Sequence, residues 1–295
     1  MKASPVLGLW LALIAAFGFS LKAIFVKLAY PYGVDAITLL MLRMAFSLPV
    51  FLWVGIAAAR AGGPALTGGD WLRLTALGLL GYYGASILDF WGLQFISAGL
   101  ERLILFTYPT LTVLIGVIFQ GKSFSRREGV ALVLCYLGIG FAFAHDLRFG
   151  DARAVWIGAA LVFASSLSYA LYLSGSGAMI ERLGSMRFTA LAMGVSTAAT
   201  FLHFAATQSP AALVQPAMVY VLGAAMALFA TVLPVFAQSA AIRAVGASRA
   251  VLIGMVGPLL TIFFGWWLLG ETISSAQLAG AGLVIAGIVI VSRRA

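Results

Sequence analysis

The stretch FTYPTLTVLIGVIFQGK at 106–122 returns as MVGPLLTIFFGWWLLGE at 255–271. Pro109 recurs as Pro258, Thr112 as Thr261, Gly116 as Gly265 and Gly121 as Gly270, each 149 positions on. Beyond these stretches the same offset pairs Ala98 with Ala247, Leu103 with Leu252 and Gly138 with Gly287. A proline and three glycines rarely align by chance, even in an apolar alphabet. The chain therefore reads as one unit written twice, over 1–149 and 150–295, within a single membrane domain.

Hydrophobic residues make up 63% of the chain and charged residues 9%, where soluble domains carry about 25% charge. Mean hydropathy is +1.07. A soluble helical core would need polar outer faces, and the apolar stretches here are apolar nearly all round. Runs near the ~20 residues that cross a bilayer are expected at 5–27, 34–58, 71–95, 100–119, 127–144, 155–174, 186–207, 217–240, 249–269 and 276–292. The first is longer than a signal-peptide core of about 7–15 residues, so it is expected to stay as an anchor. The fold class is all-α and integral to the membrane, with ten transmembrane helices.

Several function classes fall away. Cys135 is the only cysteine, which rules out an internal disulfide and a thiolate metal site. The net charge of +9 is scattered over short loops and forms no basic tract with interleaved aromatics, so a nucleic-acid partner is not expected. His145, placed in the loop after the fifth run, and His203 have no second ligand at helical spacing. No phosphate-binding loop, nucleophile elbow or HExxH pattern occurs, so no cofactor, no metal and no enzymatic activity are expected.

The basic residues orient the chain. With the N-terminus inside, the inner segments hold Lys2, Arg60, Arg73, Lys122, Arg126, Arg127, Arg182, Arg187, Arg243, Arg249, Arg293 and Arg294; the outer ones hold Lys22, Lys27, Arg102, Arg148 and Arg153. This twelve-to-five bias puts both termini in the cytoplasm of a multi-pass protein of the cell inner membrane. Five spans per copy force the second copy to enter from the opposite side, giving two inverted five-helix repeats. Capping boxes at Ser125 with Glu128 and at Ser274 with Gln277 open the helices that follow the repeated stretch. Inverted repeats are a common architecture of secondary transporters, with the substrate site near the midplane.

Pro109 and Pro258 should each bend their helix, with Gly254 and Gly257 softening the second; neighbouring helices or substrate can satisfy the freed carbonyls of Leu105 and Gly254. These four residues are the expected hinge. Gly280, Gly282, Ala286 and Gly287 in the last span suit packing or a dimer contact. Ionisable groups inside spans point to function. Lys22, Arg43, Asp89, Glu101 and Arg102 are expected to form an outer vestibule or gate in which Asp89 or Glu101 pairs with one of the three cations. Asp89 is the first candidate for proton coupling, because a charged carboxylate is disfavoured against an apolar wall. Rings and polar hooks for an apolar or aromatic substrate are available at Tyr82, Tyr83, Phe90, Trp91, Phe106, Tyr108, Tyr169, Tyr172, Phe236 and Gln238, the last aligned with Asp89 at the repeat offset.

On the paired segments GLQFISAGLERLILFTYPTLTVLIGVIFQGK at 92–122 and AAIRAVGASRAVLIGMVGPLLTIFFGWWLLGE at 240–271, the chain resembles the drug/metabolite transporter superfamily, specifically its EamA-type members built as five plus five spans. The resemblance covers essentially the whole chain. It departs from the common family pattern at Glu101 and Arg102, where small residues are usual, and at Lys122, where a glutamate usually follows the glycine. The resemblance implies export of small metabolites such as amino acids, including aromatic ones, by alternating access. The same features fit a channel-like facilitator or a transporter of another metabolite or drug class. The expected partners are a small-molecule substrate and the lipid bilayer, with the protein a monomer or homodimer.

Overall fold

The computed structural model describes residues 5–62, 64–121, 123 and 125–292, and every regular element among them is a helix. Lys2, Lys122, Arg293 and Arg294, which bear on the orientation, lie outside the described residues.

The chain enters as α1 (Pro5–Ala29) and returns as α2 (Ala36–Arg60), which starts where the Asp35 carboxylate accepts from the N–H groups of Ile37 and Thr38, both at 3.0 Å. The third rod begins with α3 (Gly68–Gly78), capped by a reciprocal Thr67–Asp70 box, and ends with α4 (Ala85–Gly92). Between them, Leu79–Gly84 widens into a π-helical turn. The eighth rod repeats this: α10 (Ala217–Ala227) and α11 (Leu233–Val245) flank a π segment at Leu228–Val232. Both interruptions begin 149 positions apart, and neither is announced by its own sequence.

The fourth and ninth rods are broken outright. α5 (Ala98–Leu105) gives way to α6 (Tyr108–Gln120), and α12 (Ala247–Gly254) to α13 (Gly257–Leu269). The expected prolines cause both breaks. Each is the second residue of the new helix, where the fixed φ of proline suits a helix start, and the helix ahead of it stops four residues upstream. The repeated glycines also find their reason. Gly121 and Gly270 sit at φ 64° and 69° and end their helices in the left-handed conformation that favours glycine, donating to the carbonyls of Gly116 and Gly265.

Two expected boundaries move. α7 (Arg126–Phe149) runs past residue 144, so His145 lies on a helix and not in a loop. α8 (Ala152–Leu183) continues nine residues beyond 174. The Ser-Gly run there does not break it, since Ser174 and Ser176 donate to Ala170 and Leu173 within their own helix. α9 (Ser185–Thr207) and α14 (Ser275–Ser292) complete the set. Both expected capping boxes form, Ser125 with Glu128 and Ser274 with Gln277.

Seven of the helical stretches among the described residues are long and apolar enough to cross a membrane, and Gly257–Leu269 and Ser275–Ile290 are shorter apolar helices. The halves interleave. α1 packs on α11 and α13, while α8 packs on α4 and α6. The longest seam joins α7 to α14. There Gly138 and Gly280 meet backbone to backbone, and Gly287 lies against Ala131 and Cys135. Of the small residues of the last span, Gly280 and Gly287 thus pack inside the chain, while Gly282 and Ala286 are exposed.

A methyl group at 138 would run into the Gly280 carbonyl, whereas one at 140 meets nothing within 4 Å. Gly138→Ala should lower stability by about 1–3 kcal/mol, and Gly140→Ala should hold or raise it by up to about 1 kcal/mol. Thermal unfolding of the two variants in one detergent checks both signs.

Candidate functional site

Pro109 has no N–H to give the carbonyl of Leu105, and inside hydrocarbon an unpaired carbonyl is costly. Ser166 on α8 supplies the missing donor: its Oγ lies 3.1 Å from the Leu105 oxygen and 2.8 Å from Thr107 Oγ1. Within the same turn of α8, Ser165 donates to the Ala85 carbonyl at 2.6 Å and Ser168 to the Leu80 carbonyl at 2.8 Å, serving the π segment of the third rod. At the other break Ser20 of α1 donates to the Gly257 carbonyl at 3.1 Å, and Thr261 donates to the Ser20 carbonyl at 3.3 Å. The expected rescue occurs at Leu105; among the described residues no side chain does the same for Gly254, and Ser20, which also lies 2.7 Å from the Ala16 carbonyl of its own helix, ties α1 to the first turn of α13 instead. The α8 serines were not singled out from sequence, because a helical serine gives no local sign of which carbonyl it will serve.

The intramembrane charges gather beside these breaks. Lys22 Nζ lies 2.5 Å from Asp89 Oδ2 and 3.2 Å from Glu101 Oε1. Both carboxylates are buried, Glu101 completely, so Glu101 does not reach the headgroups. Apart from Lys22, no donor among the described residues serves their oxygens. Of the three cations expected to compete, Lys22 takes both partners. Arg43 donates to Ser86 Oγ at 2.8 Å and lies 5.1 Å over the Phe90 ring. Arg102 lies 4.9 Å over the Phe106 ring.

The rings divide into two groups. Phe106, Tyr108, Tyr169, Tyr172 and Tyr82 form one file, with successive centroids 6.1, 5.2, 5.6 and 5.2 Å apart. It ends in a Tyr82–Tyr172 hydroxyl contact of 3.1 Å. Gly81 is needed there, since a methyl group at 81 would enter the Tyr172 ring. The other candidates lie apart from this file. Tyr83 bonds His203 Nδ1 at 2.9 Å, and Trp91 meets the same imidazole edge-on. Phe90 is fully buried in the core, Phe236 stacks on Phe51, and Gln238 is half-buried.

A second polar cluster closes one end of the bundle. Glu271, at the foot of α13, accepts from the Ala98 N–H at 2.9 and 3.1 Å and lies 3.4 Å from Lys27 Nζ. Lys27 also donates to the Ile96 carbonyl at 2.7 Å. Asp146 accepts from the N–H and hydroxyl of Ser97, both at 2.9 Å. Glu271 and Asp146 cap the start of α5, a role invisible in sequence because the capped residues lie far along the chain. Among the described residues no group of three or more His, Cys, Asp or Glu is placed to hold a metal.

Spans apolar even where they are exposed, helices broken in pairs and charges held in the interior are the features of a multi-pass membrane transporter. The family model of the EamA-like transporter family matches twice, at 6–144 and 156–293, and the chain belongs to that family. It is 31% identical to the uncharacterized transporter YcbK of Bacillus subtilis (strain 168) over 92% of this chain and 88% of that one. An uncharacterized transporter of Archaeoglobus fulgidus is 23% identical over 76% of this chain and 79% of its own. A crystal structure superposes with a TM-score of 0.66 over 96% of this chain and 94% of its own, at 16% identity, which shows the common fold.

Removing Lys22 would strand two buried carboxylates. Lys22→Met should cost about 3–5 kcal/mol, and adding Asp89→Asn and Glu101→Gln should restore most of it. The comparison is made by thermal unfolding of the single and triple variants.

Proposed function

We propose that the protein is a secondary transporter that exports a small, amino-acid-like and aromatic metabolite across the cytoplasmic membrane by alternating access. The observation that carries this reading is the gathering of four buried ionisable side chains, the part-buried Lys22 and a file of rings around the fourth rod, one of two helices broken at equivalent positions. Discontinuous helices of this kind frame midplane substrate sites in transporters.

The proposed architecture is ten spans in two inverted five-helix repeats, 1–149 and 150–295, counting the third, ninth and tenth rods beside the seven long stretches. The α7–α14 seam supports the inversion. Gly138 meets Gly280, and Gly287 meets Ala131; the offset of 149 exchanges one contact for the other. These two helices run antiparallel along the seam, so the exchange reverses helix direction, as an axis in the membrane plane would. The positive-inside bias supports cytoplasmic termini, which makes the Lys27–Glu271 end the outer one.

On this reading Glu271, Lys27 and Asp146 hold the outer gate closed. The hinges at 106–107 and 255–256 divide the two broken helices into outer and inner halves, and tilting them exposes the interior to each side in turn. Lys22 holds two carboxylates, so a proton arriving on Asp89 leaves it with one counter-ion and loosens α1 from the third and fourth rods. That couples proton movement to the conformational change.

In liposomes containing the purified protein, radiolabelled phenylalanine and tryptophan should show saturable uptake and serine should not. A pH gradient should raise accumulation severalfold, and Asp89→Asn should reduce it to the level of unenergised exchange. Folded protein that takes up none of these amino acids overturns the substrate class.

A further inference from the structure

Arg102 stands out as a buried cation that no carboxylate touches directly. The residue is 7% exposed, its Nε has no hydrogen-bond partner, and no carboxylate among the described residues lies within 4.0 Å of its guanidinium. Glu101 is its neighbour in sequence but is turned toward Lys22. A guanidinium presents five donors in a planar fork suited to a carboxylate, and burying it unpaired is costly. The cost is of the kind that a bound anion would remove.

The surroundings favour an anion further. A methyl group at Gly257 would sit 3.0 Å from Arg102 Nη2 and 3.3 Å from the Phe106 ring, so the guanidinium rests on the first residue of α13. A helix start carries the positive end of the helix dipole, which adds to the charge of Arg102. Beside it lie Phe106 and, beyond that ring, Tyr108 and Tyr169. Cation, helix start and rings meet where both broken helices cross.

We propose that Arg102 anchors the carboxylate of the transported molecule, with the molecule's apolar or aromatic body laid along Phe106, Tyr108 and Tyr169. This rests on the transporter reading and narrows it: the recognised substrate carries a negative carboxylate, and a positive amine is dispensable for docking.

The test uses purified protein in detergent with three probes of similar size: 3-phenylpropanoate, phenylalanine and phenethylamine. The first two should raise the unfolding temperature in a saturable way and the amine should not. Arg102→Gln should weaken both carboxylates by about thirtyfold or more, and Arg102→Lys should weaken them less. Without ligand, Arg102→Gln should still unfold cooperatively in the same detergent, which separates lost binding from lost folding. Phenethylamine binding as tightly as 3-phenylpropanoate, or Arg102→Gln keeping its carboxylate affinity, would overturn the anchor while leaving amino acid transport in liposomes standing. Binding of none of the three overturns the anchor as well, and the liposome assay alone then decides the transport reading.

Discussion

A backbone carbonyl inside a bilayer has no water to turn to, and that constraint governs how this bundle is allowed to be irregular. Four rods depart from regular α-helix, two by widening and two by breaking. A break releases peptide groups that a neighbour must meet, and the widened turn of the third rod is bonded across as well. α8, the longest helix at 32 residues, does this for the first half, placing Ser165, Ser166 and Ser168 against the carbonyls of Ala85, Leu105 and Leu80. A hydroxyl has one proton to donate, so three carbonyls on two different rods require three serines. α1 has the corresponding place in the second half, with Ser20 and Thr261 bonded across to each other's helices. The irregular helices are therefore held by the two straight helices that penetrate the opposite half.

How much of this could be read beforehand depends on whether the cause is local. Pro109 and Pro258 act on the residues just before them, so both breaks were legible. Gly121 and Gly270 act through their own φ, and the capping boxes close within four residues. The π segments were not legible, because LLGYYG and LFATV share little beyond their first residue and their geometry is set by what packs against them. Serine shows the same limit. Ser239 bonds the Val235 carbonyl of its own helix, whereas Ser168 bonds across to Leu80, and nothing within either helix distinguishes the two. Helix ends were misjudged where hydropathy faded before the hydrogen bonding did, as at 145–149 and 175–183.

The charges follow the same division. That Lys22, Arg43, Asp89, Glu101 and Arg102 would gather was legible from their rarity in apolar surroundings. Which cation takes which carboxylate was not, since all three have long side chains and the choice depends on how α1 threads the bundle. The outcome is uneven: one lysine neutralises two carboxylates, and two arginines rest on aromatic rings. Such an arrangement is sensitive to any added charge, whether a proton or a ligand, because few compensating groups lie within reach. The rings were likewise legible as a population and not as a file; Phe90 and Phe236 serve the core, while Tyr82, Tyr108, Tyr169 and Tyr172 stand in line.

The capping of α5 by Glu271 has a mechanical consequence. Glu271 follows the last turn of α13, and the N–H it holds belongs to the first residue of α5. Farther along, Arg102 of α5 rests on Gly257 of α13. The two short helices are thus pinned together at both ends, like the rungs of a rigid frame, while α6 and α12 leave that frame through unwound joints at 106–107 and 255–256. On the proposed alternating-access motion, the two joints therefore turn together.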